Sequence, residues 1–212
     1  MGKEWIISIS ARLTESVAQI EKKIMRAIVD EANATFLKSV SRSLEPIRVI
    51  VRAAIQSCPE IASLNAGTLR ADFGIPAGKD ATTEIVNSIA NSVTFMTQKF
   101  SLKGKNITGG LTVGIQPTSF VNLLGIGNTE LESGGSIPWL QWLLTSGDSI
   151  IIADFGVKYG PYGRSGMGAM TMKQRPFKVD SSFSGTSTDN FITRALAPKA
   201  GQIEKAIIRS LS

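Results

Sequence analysis

From Leu13 onward, apolar residues recur at 13, 17, 20, 24, 28, 32, 36, 40 and 44, intervals of three and four that lay one stripe along a helix. Charged side chains, among them Glu21, Lys22, Lys23, Arg26, Asp30 and Glu31, occupy other positions. A helix draws most of its stability from burying such a face. This stripe therefore needs a partner, either the rest of the chain or a neighbouring subunit. Thr14 is placed to cap the start. Glu45-Pro46 is expected to end the helix, because proline disfavours helix at the residue before it. Residues 47–55 then read as a second helix, stopped at Cys58-Pro59.

Beyond that point the composition changes. Most of the 20 glycines follow position 66, so helices come first and strands, turns and loops later. Residues 62–73 suit a short turn or helix, 74–78 a loop, and 82–93 a helix with Ile85, Val86 and Ile89 on one side. Residues 93–102 and 110–116 flank the turn-rich KGKNITGG and read as a hairpin. Residues 120–126 are apolar and fit either element type, while 127–136 read as a flexible loop. In IPWLQWLL, Pro138 suits the first turn of a short helix over 138–144, with Trp139 and Leu143 buried and Trp142 on or beside the same face. Residues 149–153 read as a buried strand, and 156–168, with five glycines, as a long loop. At the end, 190–196 and 201–211 read as a helix pair broken by Pro198, with Ile203, Ile207 and Leu211 on one side. The resulting fold class is α+β in a single domain. It comprises an N-terminal arm (1–12, with a short strand permitted at 5–9), a helical part (13–57), sheet and loops (58–180) and a C-terminal helical part (181–212). The sheet is expected to be small and mostly antiparallel.

The residue types exclude much chemistry. Histidine is absent, which removes the imidazole base of Ser-His-Asp and Cys-His nucleophiles and the HExxH zinc site. Cys58 is the single cysteine, so no intramolecular disulfide and no CxxC pair can form. At the end of an apolar run it reads as a buried, inert thiol. The segment Gly74-Ile-Pro-Ala-Gly78-Lys79-Asp80 is one residue short of a phosphate loop and has Asp80 where a magnesium-binding hydroxyl belongs. Asp-Phe-Gly occurs at 72–74 and 154–156, but a kinase also needs the histidine of its HRD segment. Gly163-Arg-Ser-Gly166-Met-Gly168 does not open a helix after a strand, as a dinucleotide site requires. No pair of carboxylates stands out as acid and base. No cofactor, no metal and no catalysis are expected. No stretch reaches the roughly 18 apolar residues that span a bilayer, and the apolar core before Arg12 is too short for a signal peptide. The expectation is a cytoplasmic protein without membrane contact, in which the sequons at Asn33 and Asn106 are chance.

Lysine and arginine outnumber aspartate and glutamate by 23 to 17, a net charge of +6. The uneven region is 155–179, with Lys158, Arg164, Lys173, Arg175 and Lys178 and no acid. Tyr159, Tyr162 and Phe177 are interleaved with these cations. Such a stretch can be an ordinary solvated loop, a protein interface or a nucleic-acid contact. As interface anchors the candidates are Trp139, Trp142, Tyr159, Tyr162, Arg164, Met167, Met170 and Phe177. As DNA-facing residues they are Lys158, Arg164, Lys173, Arg175 and Lys178.

The order of these segments resembles the neck or tail-completion proteins of tailed bacteriophages, the head–tail joining family. The residues that carry the resemblance are the long amphipathic helix, the Ala66-Gly-Thr-Leu-Arg70 turn and the Val-Gly step of Leu111-Thr-Val-Gly114. The aromatic segment 139–147, Gly166-Met-Gly-Ala-Met170, Arg175-Pro-Phe177 and the terminal helix complete it. The chain departs from the family in longer loops at 127–136 and 181–189, and in IPWLQWLL where an aromatic-Glu-aromatic pattern is more usual. The resemblance implies a virion structural protein of the neck, made in the host cytoplasm. It implies a homo-oligomeric ring, hexamer or dodecamer, that joins portal or adaptor proteins to tail-terminator or tail-tube proteins. Such a ring lines the path of the genome and can touch DNA without sequence preference. The alternative from the charge alone is a basic, sequence-nonspecific nucleic-acid-binding module.

Overall fold

A computed structural model describes residues 14–116, 120–131, 134–147, 149–172 and 176–211. The strand or arm expected at 5–9, Leu13, Lys173, Arg175 and the side chain of Leu211 lie outside the described residues. The chain is α+β. It divides into two compact units, one holding residues up to Lys38 with Thr97–Leu111, the other Ser39–Met96 with the residues from Thr112 on.

Helix α1 (Val17–Gln56) contributes to both units. Ser16, not Thr14, fixes its start. The Gln19 N–H donates to Ser16 Oγ at 3.3 Å, and the Ser16 N–H donates to Gln19 Oε1 at 2.9 Å, so each side chain accepts the other residue's amide. The expected break at Pro46 does not occur, and the helix runs through it. An interior proline costs about 3 kcal/mol. Against that, Ile47, Val51 and Ile55 are all fully buried, each worth about 1.5–3 kcal/mol, so burial wins. Arg42 and Pro46 are exposed, where water can take the carbonyl that proline leaves without a donor.

In the first unit α1 meets the tip of a long hairpin, β1 (Thr94–Lys103) and β2 (Asn106–Gly114). Much of the expected KGKNITGG loop is strand. Only Gly104 and Lys105 turn, with Gly104 at φ +63, a left-handed conformation open to glycine at no steric cost. Phe100 of β1 packs edge-on against Phe36, with ring centroids 4.9 Å apart.

The core of the second unit joins the C-terminal part of α1 to α2 (Pro59–Ala66), α3 (Thr68–Asp72), α4 (Thr83–Asn91), α5 (Val121–Leu124), α6 (Trp139–Leu144) and α7 (Phe191–Leu196). Helix α4 buries Ile85, Val86 and Ile89, the face its spacing predicted. Helix α6 buries Trp139, Leu140, Leu143 and Leu144. Asn190 starts α7 with a reciprocal cap through Thr193, and Arg194 joins it to the buried carboxylate of Glu60 on α2 at 2.9 Å. A single 3-10 turn (Ala197–Lys199) leads into α8 (Ala200–Leu211), where Ile203 and Ile207 are half-buried against the core.

Strands among the described residues form three separate two-stranded ribbons. The expected flexible loop at 127–136 contains β3 (Thr129–Leu131) and β4 (Gly135–Ile137), paired antiparallel. The expected glycine-rich loop is the turn of another ribbon, β5 (Phe155–Tyr159) with β6 (Gly168–Met172). The buried strand expected at 149–153 shrinks to a single bridge between Ile152 and Phe177. Ile150, two residues before that bridge, is 60% exposed. Among the described residues no helix is long and apolar enough to cross a membrane.

Candidate functional site

Two places in the fold gather polar chemistry or unpartnered apolar surface. The first is in the second unit, where the β5–β6 ribbon meets α3. Arg70 of α3 is buried at 6% exposure, and its four acceptors are backbone carbonyls. Nη1 donates to Leu64 O at 3.3 Å and Asn65 O at 2.9 Å, and Nη2 to Lys79 O at 3.0 Å and to Pro76 O. The carbonyls of Leu64 and Asn65 sit at the C-terminal end of α2, where the aligned peptide dipoles leave partial negative charge. The arginine of the Ala66–Arg70 turn is therefore a structural clamp.

Two residues further on, Asp72 is 7% exposed and accepts the Tyr159 hydroxyl at 2.7 Å. Burial pushes its carboxyl up to about 6, the bond from Tyr159 pulls the other way, and the nearby Asp180 adds to the rise. The Tyr159 phenol is raised too, by burial first and then by Asp72. Asp180 is lowered instead, by the hydroxyl and amide of Ser182, which donate at 2.7 Å and 2.8 Å. Both carboxyls line a cleft of about 480 Å³ with Tyr159, Phe177 and Lys178. Two acids set apart in proton affinity can divide the roles of donor and acceptor. Here the protonatable one is already bonded to a phenol. Sequence reasoning missed this pair, since Asp72 stood out only as part of a false Asp-Phe-Gly match.

The other candidates around the ribbon are largely engaged within the chain. Arg164 donates from Nε to Gly74 O at 3.0 Å and from Nη1 to Glu130 O at 2.7 Å. Its own carbonyl accepts from Ala77 N at 3.1 Å. Tyr162 donates its hydroxyl to Tyr159 O at 2.8 Å. Gly163 has φ +75, and a Cβ there would collide with the Gly168 carbonyl, so the turn requires glycine twice over. Trp139 is core, stacked on Phe73 at 5.6 Å, and Phe177 is buried. Trp142, Met167 and Met170 are half-buried, whereas Lys158 and Lys178 are exposed. In the 74–80 loop, Asp80 Oδ1 accepts the amides of Thr82 at 2.9 Å and Thr83 at 3.0 Å. Bonds from Thr83 and Thr82 hold this carboxylate down at about 2. The helix N-terminus that a phosphate would need is thus filled by the chain's own anion. Cys58 is buried, and its thiol is pushed up to about 11 by burial and Glu60, so it is a poor nucleophile.

The second place is in the first unit. Asn33 of α1 reaches Phe100 of β1 with both ends of its amide: Nδ2 donates to Phe100 O at 3.0 Å, and Phe100 N donates to Oδ1 at 2.8 Å. One side chain thereby supplies what a third strand would supply at that residue. Toward the hairpin turn, α1 and the hairpin enclose a groove of about 880 Å³, lined by Ala18, Ile24, Met25 and Leu102 together with Glu21, Lys22, Arg26 and Lys105. The stripe along this half of α1 is open: Val17 is 72%, Ile24 53% and Ile28 47% exposed. On the hairpin, Ile107 is exposed as well. The sequence reading found the stripe but not which part of it the chain itself would cover.

Compared with protein-family models, with curated proteins and with solved structures, the chain matches none.

Proposed function

We propose that this chain is a non-catalytic structural subunit of the neck of a tailed bacteriophage, a head–tail connector or tail-completion protein that assembles as a ring. The observation that carries the reading is the open apolar stripe of α1 at Val17, Ile24 and Ile28 beside a long hairpin. Contiguous exposed apolar surface marks an association site, and removing it from water is worth roughly 25 cal/mol per Å². A ring needs one such surface to meet a different one on the next protein, repeated about an axis. The resemblance of the sequence to head–tail joining proteins supplies the partners: portal or adaptor proteins on one side and tail-terminator or tail-tube proteins on the other, in the neck of the virion. The exposed Lys158 is placed for nonspecific contact with the genome in such a ring.

The test is sedimentation of the purified chain, alone and mixed with purified portal, adaptor and tail-terminator proteins, with electron microscopy of any assembly. Rings or stoichiometric co-assembly support the reading. A chain that stays monomeric and binds none of them overturns it.

A further inference from the structure

We propose that the groove between α1 and the β1–β2 turn is the docking site for an acidic amphipathic segment of another protein. The apolar residues of that segment seat on Ile24, Met25 and Leu102, and its carboxylates meet Lys22, Arg26 and Lys105. The inference rests on the assembly reading only in expecting a partner for this unit; the partner's chemistry is read from the groove.

Three observations fix that chemistry. The groove holds about 880 Å³, room for several side chains, and Ile24 of its apolar lining is 53% exposed. The occupant therefore brings apolar anchors, as a helix or strand laid in a groove does. Second, the charged residues of the lining are three cations, Lys22, Arg26 and Lys105, against the single acid Glu21. Charge across an interface is complementary in sign, so the anchors are flanked by carboxylates. Third, residues 94–114 contain Lys99, Lys103 and Lys105 and no acid. Two copies docked groove to groove would set cations against cations, which disfavours self-pairing. The chain as a whole also carries more cations than acids, 23 against 17. Nucleic acid meets the charge requirement but leaves the aliphatic lining without a purpose, since it offers no apolar anchors and, among the described residues, the lining offers no aromatic ring on which a base could stack.

The experiment uses the full chain and a defined probe: a labelled 18-residue helical peptide with leucine at i, i+3, i+4 and i+7 spacing and glutamate elsewhere. Controls are the same peptide with lysine for glutamate, an oligoglutamate of equal length, and a 20-base-pair duplex. The leucine–glutamate peptide is expected to bind at least tenfold more tightly than either control peptide. Affinity is expected to fall at least tenfold with Ile24→Glu and severalfold with Lys105→Glu, while Ile208→Glu on α8, equally exposed, leaves it unchanged. Circular dichroism and urea unfolding check that the exposed substitutions keep the fold. Failure of the leucine–glutamate peptide to bind, equal binding of oligoglutamate, indifference to Ile24→Glu with the fold intact, or displacement by duplex DNA at comparable concentration each overturns the proposal. Co-assembly with connector proteins that survives Ile24→Glu sinks this inference and leaves the assembly reading standing. Peptide binding by a chain that assembles with nothing does the reverse.

Discussion

Tyr159 donates its hydroxyl to Asp72 at 2.7 Å, so the β5–β6 ribbon is fastened to α3 through a carboxyl that is only 7% exposed. That carboxyl titrates at about 6 in the fold, against an ordinary value of 3.8. Between those values the folded chain holds a proton that the unfolded chain has released, so the contribution of this carboxyl to stability is fully present below 3.8 and is lost as pH rises to about 6. The loss is on the order of 2–3 kcal/mol. Asp72→Asn keeps an acceptor for Tyr159 and removes the titration. Urea midpoints from pH 4 to 7 should show wild type losing ground to Asp72→Asn across that window. Parallel curves would show that Asp72 ionises normally.

Asn33 and Phe100 give a second test, local to the first unit. Asn33→Ala removes both amide bonds to β1 and should cost about 1–3 kcal/mol at the hairpin tip. The readout is hydrogen exchange at the Phe100 amide, which should speed up while amides of α4 keep their protection. Asn33→Asp retains the acceptor but turns an oxygen toward the Phe100 carbonyl, and it should protect the amide less well than wild type.

Trp139 and Arg164 belonged to one set of interface candidates, yet they should behave unlike surface anchors. Trp139→Ala empties a stacked core position and should cost about 3–5 kcal/mol. Arg164→Ala strands two carbonyl acceptors at an exposed site and should cost about 1 kcal/mol. Lys158→Ala should stay within about 0.5 kcal/mol. Urea unfolding of the three variants ranks them directly, and an Arg164→Ala more costly than Trp139→Ala would reverse the assignment of core and tether.

Binding to duplex DNA, if the chain touches a genome only as lining, should be weak and steeply salt-dependent. Nonspecific affinities of about 10⁻⁴–10⁻⁶ M at physiological salt are the expectation. Lys158→Glu with Lys178→Glu should lower both the affinity and the slope against log salt. Tight binding without sequence preference that falls steeply with salt and is lost with those two changes would favour the nucleic-acid module.

What could be read in advance followed local periodicity. Helix α4 and helix α6 bury the residues their spacing selects, because each is short enough to lie on a single surface. Over α1 the same rule fails. From residue 20 to 44 the stripe keeps a spacing of four, and each step advances about 40° around a helix of 3.6 residues per turn. Over six steps it winds about two-thirds of the way round, so no flat surface can cover all of it. Phe36 and Val40 are buried, while Ile24 and Ile28 are left open. Pro46 misled because its cost is local and the burial of Ile47, Val51 and Ile55 that outweighs it is tertiary. The β5–β6 ribbon was hidden by small and flexible residues such as Gly168, Ala169 and Met170, which carry little strand preference of their own. Asp72 and Arg70 left no periodic signature at all. Their roles come from neighbours distant in sequence, Tyr159 for one and the carbonyls of Pro76 and Lys79 for the other.

Arg70 ties the end of α2 to the loop before α4 by gripping carbonyls on both. In a chain whose lone cysteine has no mate, this guanidinium is the nearest equivalent of a cross-link. It holds the segment from Leu64 to Lys79 together in the folded chain without a covalent bond, so no reductant can open it, and unlike a disulfide it sets no limit on the unfolded chain. It also forms and breaks at the speed of hydrogen bonds, so the staple is remade each time the chain refolds.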